Sequence, residues 1–300
     1  MSTPPDDPAA PRGKLAAFAV RVASAVVLIG VVAATLAWFH WGFMLLVAAL
    51  LAVAVWELRQ AAVRRGMEPA WPILIAGVPL AVLAPYAVGT WPALARALRS
   101  PDPAHLGLMV LSVCVLASLG WRLRRGVTGY LADAGVSLLI VGYLGILGLS
   151  VAWLMLGPHP VAFLVAYVAC IAANDSGAYW FGSLFGRCKM TPGISPAKTW
   201  EGFAGGLVLA AVAGVLLGIF LVHVAWWWGL VFGLVLGICA TVGDLVESAI
   251  KRDAGLKDMG RLMPGHGGAM DRLDSMLYCA PVAVLLYSAM GVLPWLVGLA

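Results

Sequence analysis

Charged residues are scarce in this sequence. Asp, Glu, Lys and Arg make up only 11% of its 300 residues, whereas 62% are hydrophobic, and the mean hydropathy is +0.96. Soluble domains carry about a quarter charged residues, and a chain of this size cannot bury so much apolar surface in a fold that faces water. The composition therefore excludes an ordinary soluble protein and favours the lipid bilayer as the solvent and partner of the chain.

Several familiar motifs are missing as well. The five cysteines are scattered without a CxxC pair, and their odd count does not fit a disulfide framework, so neither a zinc site nor a disulfide scaffold is predicted. The phosphate-binding pattern GxxxxGK[ST] does not occur. The net charge of +5 is not in itself a sign of nucleic-acid binding, and we expect no nucleic-acid partner.

Long apolar runs are present instead. A bilayer core of about 30 Å needs about 20 apolar residues in a helix. Nine segments meet or approach that length, namely 20–39, 42–62, 70–89, 104–121, 131–156, 160–184, 203–222, 225–250 and 273–298. The predicted fold class is all-α, a polytopic membrane protein with about nine transmembrane helices. Residues 1–19 are expected to form a disordered cytoplasmic tail, and 20–156 and 157–300 to form one structural unit whose second part carries the functional motifs.

The basic residues predict how these helices are oriented. If the N-terminus lies in the cytoplasm, seventeen of the nineteen Lys and Arg residues fall in cytoplasmic segments, and only Arg96 and Arg99 lie on the opposite side. Lys and Arg are concentrated in the cytoplasmic loops of membrane proteins. We therefore expect a cytoplasmic N-terminus and a periplasmic C-terminus.

Most acidic residues lie in the C-terminal half, where eight of the fourteen Asp and Glu residues fall between Asp175 and Asp274. Asp175, Asp244 and Asp274 lie within or at the edge of apolar helices, where a carboxylate costs about 2.5–3.5 kcal/mol on insertion scales. Such residues usually face a polar cavity and serve a function. Glu57 lies at the end of another apolar run, and an ion pair at the membrane interface is the expectation for it.

A polar stripe ends the eighth predicted helix. Residues 244, 247, 248, 251 and 252 follow the i, i+3, i+4, i+7, i+8 spacing of one helical face, and apolar residues cover the other. Glu247 and Lys251 are expected to form an i,i+4 pair at the surface. That pairing does not explain Asp244, which lies one turn deeper and is the candidate functional acid.

A glycine-rich loop follows this helix. Gly265, Gly267 and Gly268 surround His266, so the backbone can adopt positive φ and its N–H groups can line an anion site. A helix is predicted to begin just after the glycines, which adds further N–H donors. Asp271 and Asp274, three residues apart, share one face of that helix.

A third element begins at Ser195-Pro196. Serine before proline is typical of a helix N-cap with proline at the first helical position, so we predict that a helix starts here. Lys198 would then lie in the first turn, where the helix dipole disfavours a cation unless it binds a phosphate. An interfacial lysine that meets anionic lipid head groups explains Lys198 about equally well.

Together these elements resemble the phosphatidate cytidylyltransferase (CDP-diacylglycerol synthase) family. The resemblance rests on two upstream stretches, Asn174-Asp175-x-x-Ala178-Tyr179 and Ser195-Pro196-x-Lys198-Thr199-x-Glu201-Gly202, and on Ser248-x-x-Lys251-Arg252-x4-Lys257-Asp258-x-Gly260 followed by Pro264-Gly265-His266-Gly267-Gly268-x-x-Asp271-Arg272-x-Asp274. Ala197 stands where many members carry a second lysine. The motifs cover the C-terminal half, and the first 150 residues match only as apolar spans.

The resemblance implies the reaction CTP + phosphatidate → CDP-diacylglycerol + pyrophosphate, dependent on Mg²⁺ or Mn²⁺, at the cytoplasmic face of a bacterial inner membrane. It implies that Asp244 and Asp271 hold the metal. Asp175 and Asp274 are further candidate ligands, and Asp175 could hold either a second cation or a basic partner. Members are often homodimers. Lys251 and His266 join Asp244 and Asp271 as candidate catalytic residues, and the candidate substrate-binding residues are Ser195, Lys198, Ser248, Arg252, Lys257, Gly267, Gly268 and Arg272.

Two other functions remain open at this point. A CTP-dependent transferase that acts on another lipid phosphate would show the same motifs. An ion-coupled transporter also carries carboxylates within the membrane. However, transporter sites lie near mid-membrane and often in paired repeats, whereas these polar residues cluster at one end of the helices and no repeat is visible.

Overall fold

The computed structural model describes Val27 and residues 30–97, 102–260 and 267–293. The predicted tail at 1–19 and the candidate residue His266 lie outside the described residues. Residues 30–38 are helical, and the named elements that follow are α1 (His40–Arg64), α2 (Trp71–Thr90), α3 (Pro92–Ala97), α4 (Pro103–Leu123), α5 (Tyr130–Ile140), α6 (Leu147–Leu156), α7 (Pro160–Phe185), β1 (Lys189–Thr191), β2 (Ser195–Thr199), α8 (Trp200–Leu217), α9 (Trp226–Asp253) and α10 (Met270–Ala289).

Seven helical segments among the described residues are long and apolar enough to cross a membrane. They coincide with the seven predicted spans from 42–62 to 225–250, so a polytopic, mainly α-helical membrane protein is confirmed. The first predicted span falls largely outside the described residues. The ninth corresponds to α10, which ends at Ala289 and is not among the seven. The count of nine and the orientation therefore stay predictions.

The outward surface of these helices is apolar. Large hydrophobic side chains are among the most exposed in the protein, for example Leu116, Leu131 and Phe220, each with at least 70% of its surface accessible. Soluble proteins rarely expose such patches, whereas helices that face lipid need them, because the hydrocarbon core offers no partner for polar groups. The side-chain distribution thus agrees with the length and hydropathy of the spans.

Two local features differ from the sequence-based expectation. The fifth span contains a π-helical segment, Val141–Ile146, between α5 and α6. The predicted helix start at Ser195-Pro196 is wrong, because Ser195–Thr199 forms strand β2, which pairs antiparallel with β1. The helix begins at Trp200, where Thr199 Oγ1 accepts a hydrogen bond from the Gly202 N–H, as an N-cap does. Pro196 is tolerated in β2 because both strands of a two-stranded hairpin are edge strands, where proline can occur.

Two glycines permit the close helix packing that builds the functional end of the molecule. A Cβ atom at Gly177 would lie 2.7 Å from the Gly205 carbonyl oxygen, so α7 and α8 are in backbone contact there. A Cβ atom at Gly243 would lie 3.0 Å from the Asp274 carbonyl oxygen. The absence of a side chain at Gly243 therefore lets α9 and α10 approach each other beside Asp244 and Asp274.

Candidate active site

Three carboxylates meet where α9 and α10 approach each other. Asp244, Glu247 and Asp274 each offer a carboxylate oxygen, and these three oxygens lie within 4.8 Å of one another. Asp244 and Glu247 come from successive turns of α9, and Asp274 comes from the first turns of α10. We call these three residues the acid cluster. Carboxylates repel one another at such distances, so the arrangement favours nearby cations, either lysine side chains or a metal ion.

Glu247 occupies the buried side of the acid cluster. Its side chain is fully inaccessible, and neither carboxylate oxygen accepts a well-oriented hydrogen bond from the described residues. Lys251 Nζ lies against Glu247 Oε2 as an ion pair. The predicted i,i+4 pair is therefore present, but its assignment to the surface is wrong, because the packing of α9 and α10 encloses Glu247. Buried carboxylate oxygens without hydrogen bonds are fitting ligands for a metal ion.

Lys251 links the acid cluster to Asp271. Its Nζ lies 2.9 Å from Asp271 Oδ1, and Asp271 Oδ2 accepts hydrogen bonds from the Gly268 N–H at 2.7 Å and the Met259 N–H at 3.0 Å. Asp271 lies in the first turn of α10, outside the seven candidate spans. Burial acts to raise the pKa of Asp271, but the Gly268 N–H and Lys251 outweigh it, so this pKa lies below the ordinary value for aspartate. The carboxylate is therefore ionised at neutral pH.

A cavity of about 460 Å³ adjoins the acid cluster. It lies among α7, the β-hairpin, α8 and α9, and its walls include the candidate residues Asp175 and Ser195. Lys198, on strand β2, points its Nζ 2.5 Å from Asp244 Oδ2. The hairpin, rather than the first turn of a helix, thus brings the Lys198 ammonium to the place where the cavity meets the acid cluster.

Side-chain hydrogen bonds hold the hairpin in place. Both carboxylate oxygens of Glu201, in the first turn of α8, accept the Cys188 N–H at 3.1 and 3.2 Å. Arg252 Nε donates to the Ile194 carbonyl in the hairpin turn at 3.3 Å. On α9, Ser248 Oγ donates to Asp244 Oδ1 at 3.3 Å. Arg252 and Ser248 therefore lie beside the site, as their position in the polar stripe predicted.

The remaining sequence candidates lie at its edge. Lys257 and Arg272 are exposed, and Gly267 adopts a φ of +80°, in the left-handed region that favours glycine. Gly268 is buried and donates its N–H to Asp271. The structure thus groups Asp244, Glu247, Asp274, Asp271, Lys251 and Lys198, and Asp175 lines the same cavity as Asp244 and Lys198.

Two residues of the N-terminal half also belong to this region, and the motif analysis missed both. Glu57 on α1 is buried and accepts the Ala269 and Met270 N–H groups at the start of α10. Its expected ion pair is wrong, since its partners are backbone donors. Tyr143 lies in the π-helical segment with a buried hydroxyl that has no hydrogen-bond partner among the described residues, within electrostatic range of Asp274 and Glu247. In the sequence, a carboxylate within an apolar span indicated that Glu57 could have a function. No comparable sequence feature pointed to Tyr143.

The fold and site define a class of protein. A polytopic membrane protein that presents clustered carboxylates, lysines and a glycine-rich loop at one end of its helices fits an enzyme that handles phosphate groups with the help of a metal. The family model described as "Cytidylyltransferase family" matches residues 19–290. The chain belongs to the cytidylyltransferase family, which confirms the resemblance carried by the motifs.

Curated relatives agree with this assignment. A protein from Mycobacterium bovis named "Phosphatidate cytidylyltransferase" is 37% identical over 260 residues, which cover 82% of this chain and 80% of that relative. A protein of the same name from Mycobacterium leprae is 41% identical over 168 residues, or 56% of this chain and 53% of that relative. One from Staphylococcus saprophyticus is 34% identical over 212 residues, or 69% and 75%. Similarity to proteins of this name thus extends over most of the chain.

Proposed function

We propose that this protein is a phosphatidate cytidylyltransferase, which forms CDP-diacylglycerol and pyrophosphate from CTP and phosphatidate at the cytoplasmic face of a bacterial inner membrane. The observation that carries the proposal is the acid cluster of Asp244, Glu247 and Asp274 beside Lys198 and Lys251, at one end of a membrane bundle. Both substrates are polyanions, so their reaction needs positioning and charge neutralisation more than covalent help.

The acid cluster suits a divalent cation, since hard oxygen ligands are what Mg²⁺ and Mn²⁺ prefer. We assign Asp244 and Asp274 as ligands on the basis of their shared cluster, and Asp271 as a ligand available when Lys251 turns towards a phosphate. When bound, the metal supplies charge neutralisation for the nucleotide phosphates and for the pyrophosphate leaving group. Asp175, which faces the same cavity, is the candidate ligand for a second cation.

The cations divide into two sets by position. Lys198 and Lys251 lie against the carboxylates, so each can exchange its present partner for a phosphate oxygen near the reacting atoms. Arg252, Lys257 and Arg272 are exposed and suit the outer phosphates of CTP. Ser195, Ser248 and the N–H groups of the Gly267–Gly268 turn are further candidate donors to substrate oxygens, and His266 is proposed to orient a phosphate.

The bond changes follow from the substrates. An anionic oxygen of the lipid phosphate attacks the α-phosphorus of CTP, a new P–O–P bond forms, and the bond to the β-phosphate oxygen breaks to release pyrophosphate. The attacking oxygen is already ionised, so no side chain needs to act as a general base. The cavity beside Lys198 offers room for the phosphate end of one substrate, while acyl chains stay between helices in the bilayer.

The decisive experiment is an assay of the purified protein with labelled CTP and phosphatidate in detergent or vesicles. Formation of labelled CDP-diacylglycerol that requires Mg²⁺ or Mn²⁺ is the expected result. Product from a different lipid phosphate alone would reassign the substrate. No product with any lipid phosphate, from folded protein, would refute the proposal and return the transporter as the alternative. Crosslinking in membranes tests the homodimer that family resemblance suggests.

A further inference from the structure

Glu57 joins the N-terminal half of the chain to the glycine-rich loop. It lies near the end of α1, and only 5% of its surface is accessible. Its Oε1 accepts the Ala269 N–H at 3.0 Å, and its Oε2 accepts the Met270 N–H at 2.8 Å, more than 200 residues further along the chain. One carboxylate thus binds two consecutive backbone donors of a distant element.

These two donors belong to the start of α10. The first N–H groups of a helix have no partner within the helix, and Ala269, the N-cap residue, has no side chain that can accept them. A carboxylate is the most favourable acceptor there, because the helix dipole adds to the hydrogen bonds. Glu57, a residue of α1, therefore accepts the hydrogen bonds that a capping side chain at Ala269 would otherwise accept. The glycine pattern predicted that N–H groups at this helix start bind an anion. In the structure, Glu57 accepts two of them, those of Ala269 and Met270.

Gly260 and Gly268, which lie on either side of residues 261–266, both pack against the Glu57 carboxylate. A Cβ atom at either Gly260 or Gly268 would overlap Glu57 Oε1, so a larger residue at either position would have to displace this carboxylate. The residues between these glycines include His266. Glu57 accordingly contacts the described chain on both sides of residues 261–266.

The carboxylates of the site depend on this anchor. Asp271 directly follows Met270, and Asp274 lies one turn further along α10. Asp271 Oδ2 accepts the Gly268 and Met259 N–H groups, so its orientation also depends on where the two ends of the loop lie. A displacement of the first turn of α10 would move both Asp271 and Asp274 relative to Asp244 on α9.

We propose that Glu57 is a positioning residue of the active site, which fixes Gly260, Gly268 and the first turn of α10 so that Asp274 stays within the acid cluster and Asp271 stays beside it. This role rests on the proposed function. It acts through backbone N–H groups rather than through contact with substrate. Its loss should therefore impair metal use and kcat more than the KM for phosphatidate.

The test compares Glu57→Gln, Glu57→Asp and a matched control, Glu68→Gln, whose residue pairs with Arg125 at the exposed surface. Glutamine replaces one acceptor oxygen by an NH₂ group that faces a backbone N–H. For Glu57→Gln we expect kcat to fall and the Mg²⁺ concentration for half-maximal activity to rise, each by about tenfold, as for other residues that orient metal ligands. Aspartate keeps both acceptors and should recover part of both losses, and Glu68→Gln should match the wild type.

Thermal unfolding with and without Mg²⁺ gives a readout apart from turnover. The wild type and Glu68→Gln should gain melting temperature with Mg²⁺, and Glu57→Gln should gain less. Unchanged kcat and Mg²⁺ response in folded Glu57→Gln would overturn the role. If Glu57→Gln does not fold, Gly260→Ala replaces it as the test, because the added methyl group displaces Glu57 Oε1. This variant must show the same loss in Mg²⁺ response. Normal Mg²⁺ response or misfolding of Gly260→Ala would also overturn the role of Glu57. If the wild type forms no product, the proposed function is refuted instead. The change in melting temperature with Mg²⁺ in the Glu57 variants then tests the positioning role without turnover.

Discussion

Lys251 Nζ lies 2.9 Å from Asp271 Oδ1 and also pairs with Glu247, so one ammonium group joins helix α9 to the first turn of α10. Its side chain is only 16% accessible, and that of Glu247 is inaccessible. The bridge therefore has two consequences. It places one positive charge between two carboxylates where there is little water, and it gives an incoming phosphate a cation that can change partners.

The first prediction concerns this bridge. Replacement of Lys251 by Met leaves Glu247 and Asp271 as close carboxylates without their cation, and loss of one partner in a buried ion pair typically costs about 3 kcal/mol or more. We expect a loss of that size in the free energy of unfolding in detergent, together with loss of turnover. Arg64→Met, at an exposed position at the end of α1, should lower stability by no more than about 0.5 kcal/mol. Equal stability of the two variants would contradict the bridge.

The sequence predicted the spans and the polar stripe well, because both depend on local patterns. Seven apolar runs correspond to seven helices, and residues 244, 247, 248, 251 and 252 share one helical face, as their spacing requires. The burial of Glu247 was not predictable in this way. It depends on the distance between α9 and α10, which Gly243 sets through a contact with a residue thirty-one positions away.

The errors share a physical cause. Ser195-Pro196 satisfies the local rule for a helix start, but Thr199 is the cap that the fold uses, since strand pairing with β1 takes the preceding residues. Glu57 had basic neighbours in the sequence, yet its partners are N–H groups more than 200 residues away. Local patterns do not encode such long-range partners.

The second prediction concerns the carboxylates. Asp244→Asn and Asp274→Asn keep side-chain size but lose charge, so each should lower kcat and raise the Mg²⁺ concentration for half-maximal activity by at least about tenfold. A surface pair with Lys251 would make Glu247→Gln mild, whereas the burial of Glu247 in the acid cluster leads us to expect a loss of similar size. Asp253→Asn, an exposed partner of Arg65, is the control and should change neither quantity.

Asp271 is tested separately, because Lys251 and backbone N–H groups engage both of its oxygens. Asp271→Asn should abolish turnover in protein that remains folded, if the carboxylate joins the metal during the reaction. Near-normal activity would remove Asp271 from the ligand set and leave the acid cluster as the metal site. Metal titrations of activity, followed for each variant, separate these outcomes.

The third prediction concerns nucleotide binding. A ligand that binds only the folded state stabilises it by about 2.7 kcal/mol at a hundred times its dissociation constant. CTP with Mg²⁺ should therefore raise the melting temperature, and ATP at equal concentration should raise it less if the base is recognised. Lys257→Ala and Arg272→Ala should reduce the shift, since we assign these cations to the phosphates. The absence of any nucleotide shift in folded protein would favour the transporter.

The last prediction concerns orientation, which the distribution of Lys and Arg predicts and on which a cytoplasmic CTP site depends. Helix α7 has 26 residues and is therefore roughly 39 Å long, enough to separate His159 from the hairpin by a bilayer. In a Cys188→Ser background, which removes the exposed native thiol, His159→Cys should react with a membrane-impermeant maleimide from the periplasm. Gly193→Cys, with open space around its Cβ, should react only after the membrane is permeabilised. The reverse pattern would place the acid cluster and Lys198 on the periplasmic side, away from CTP, and would contradict the proposed reaction even if the helices and the site geometry are as described.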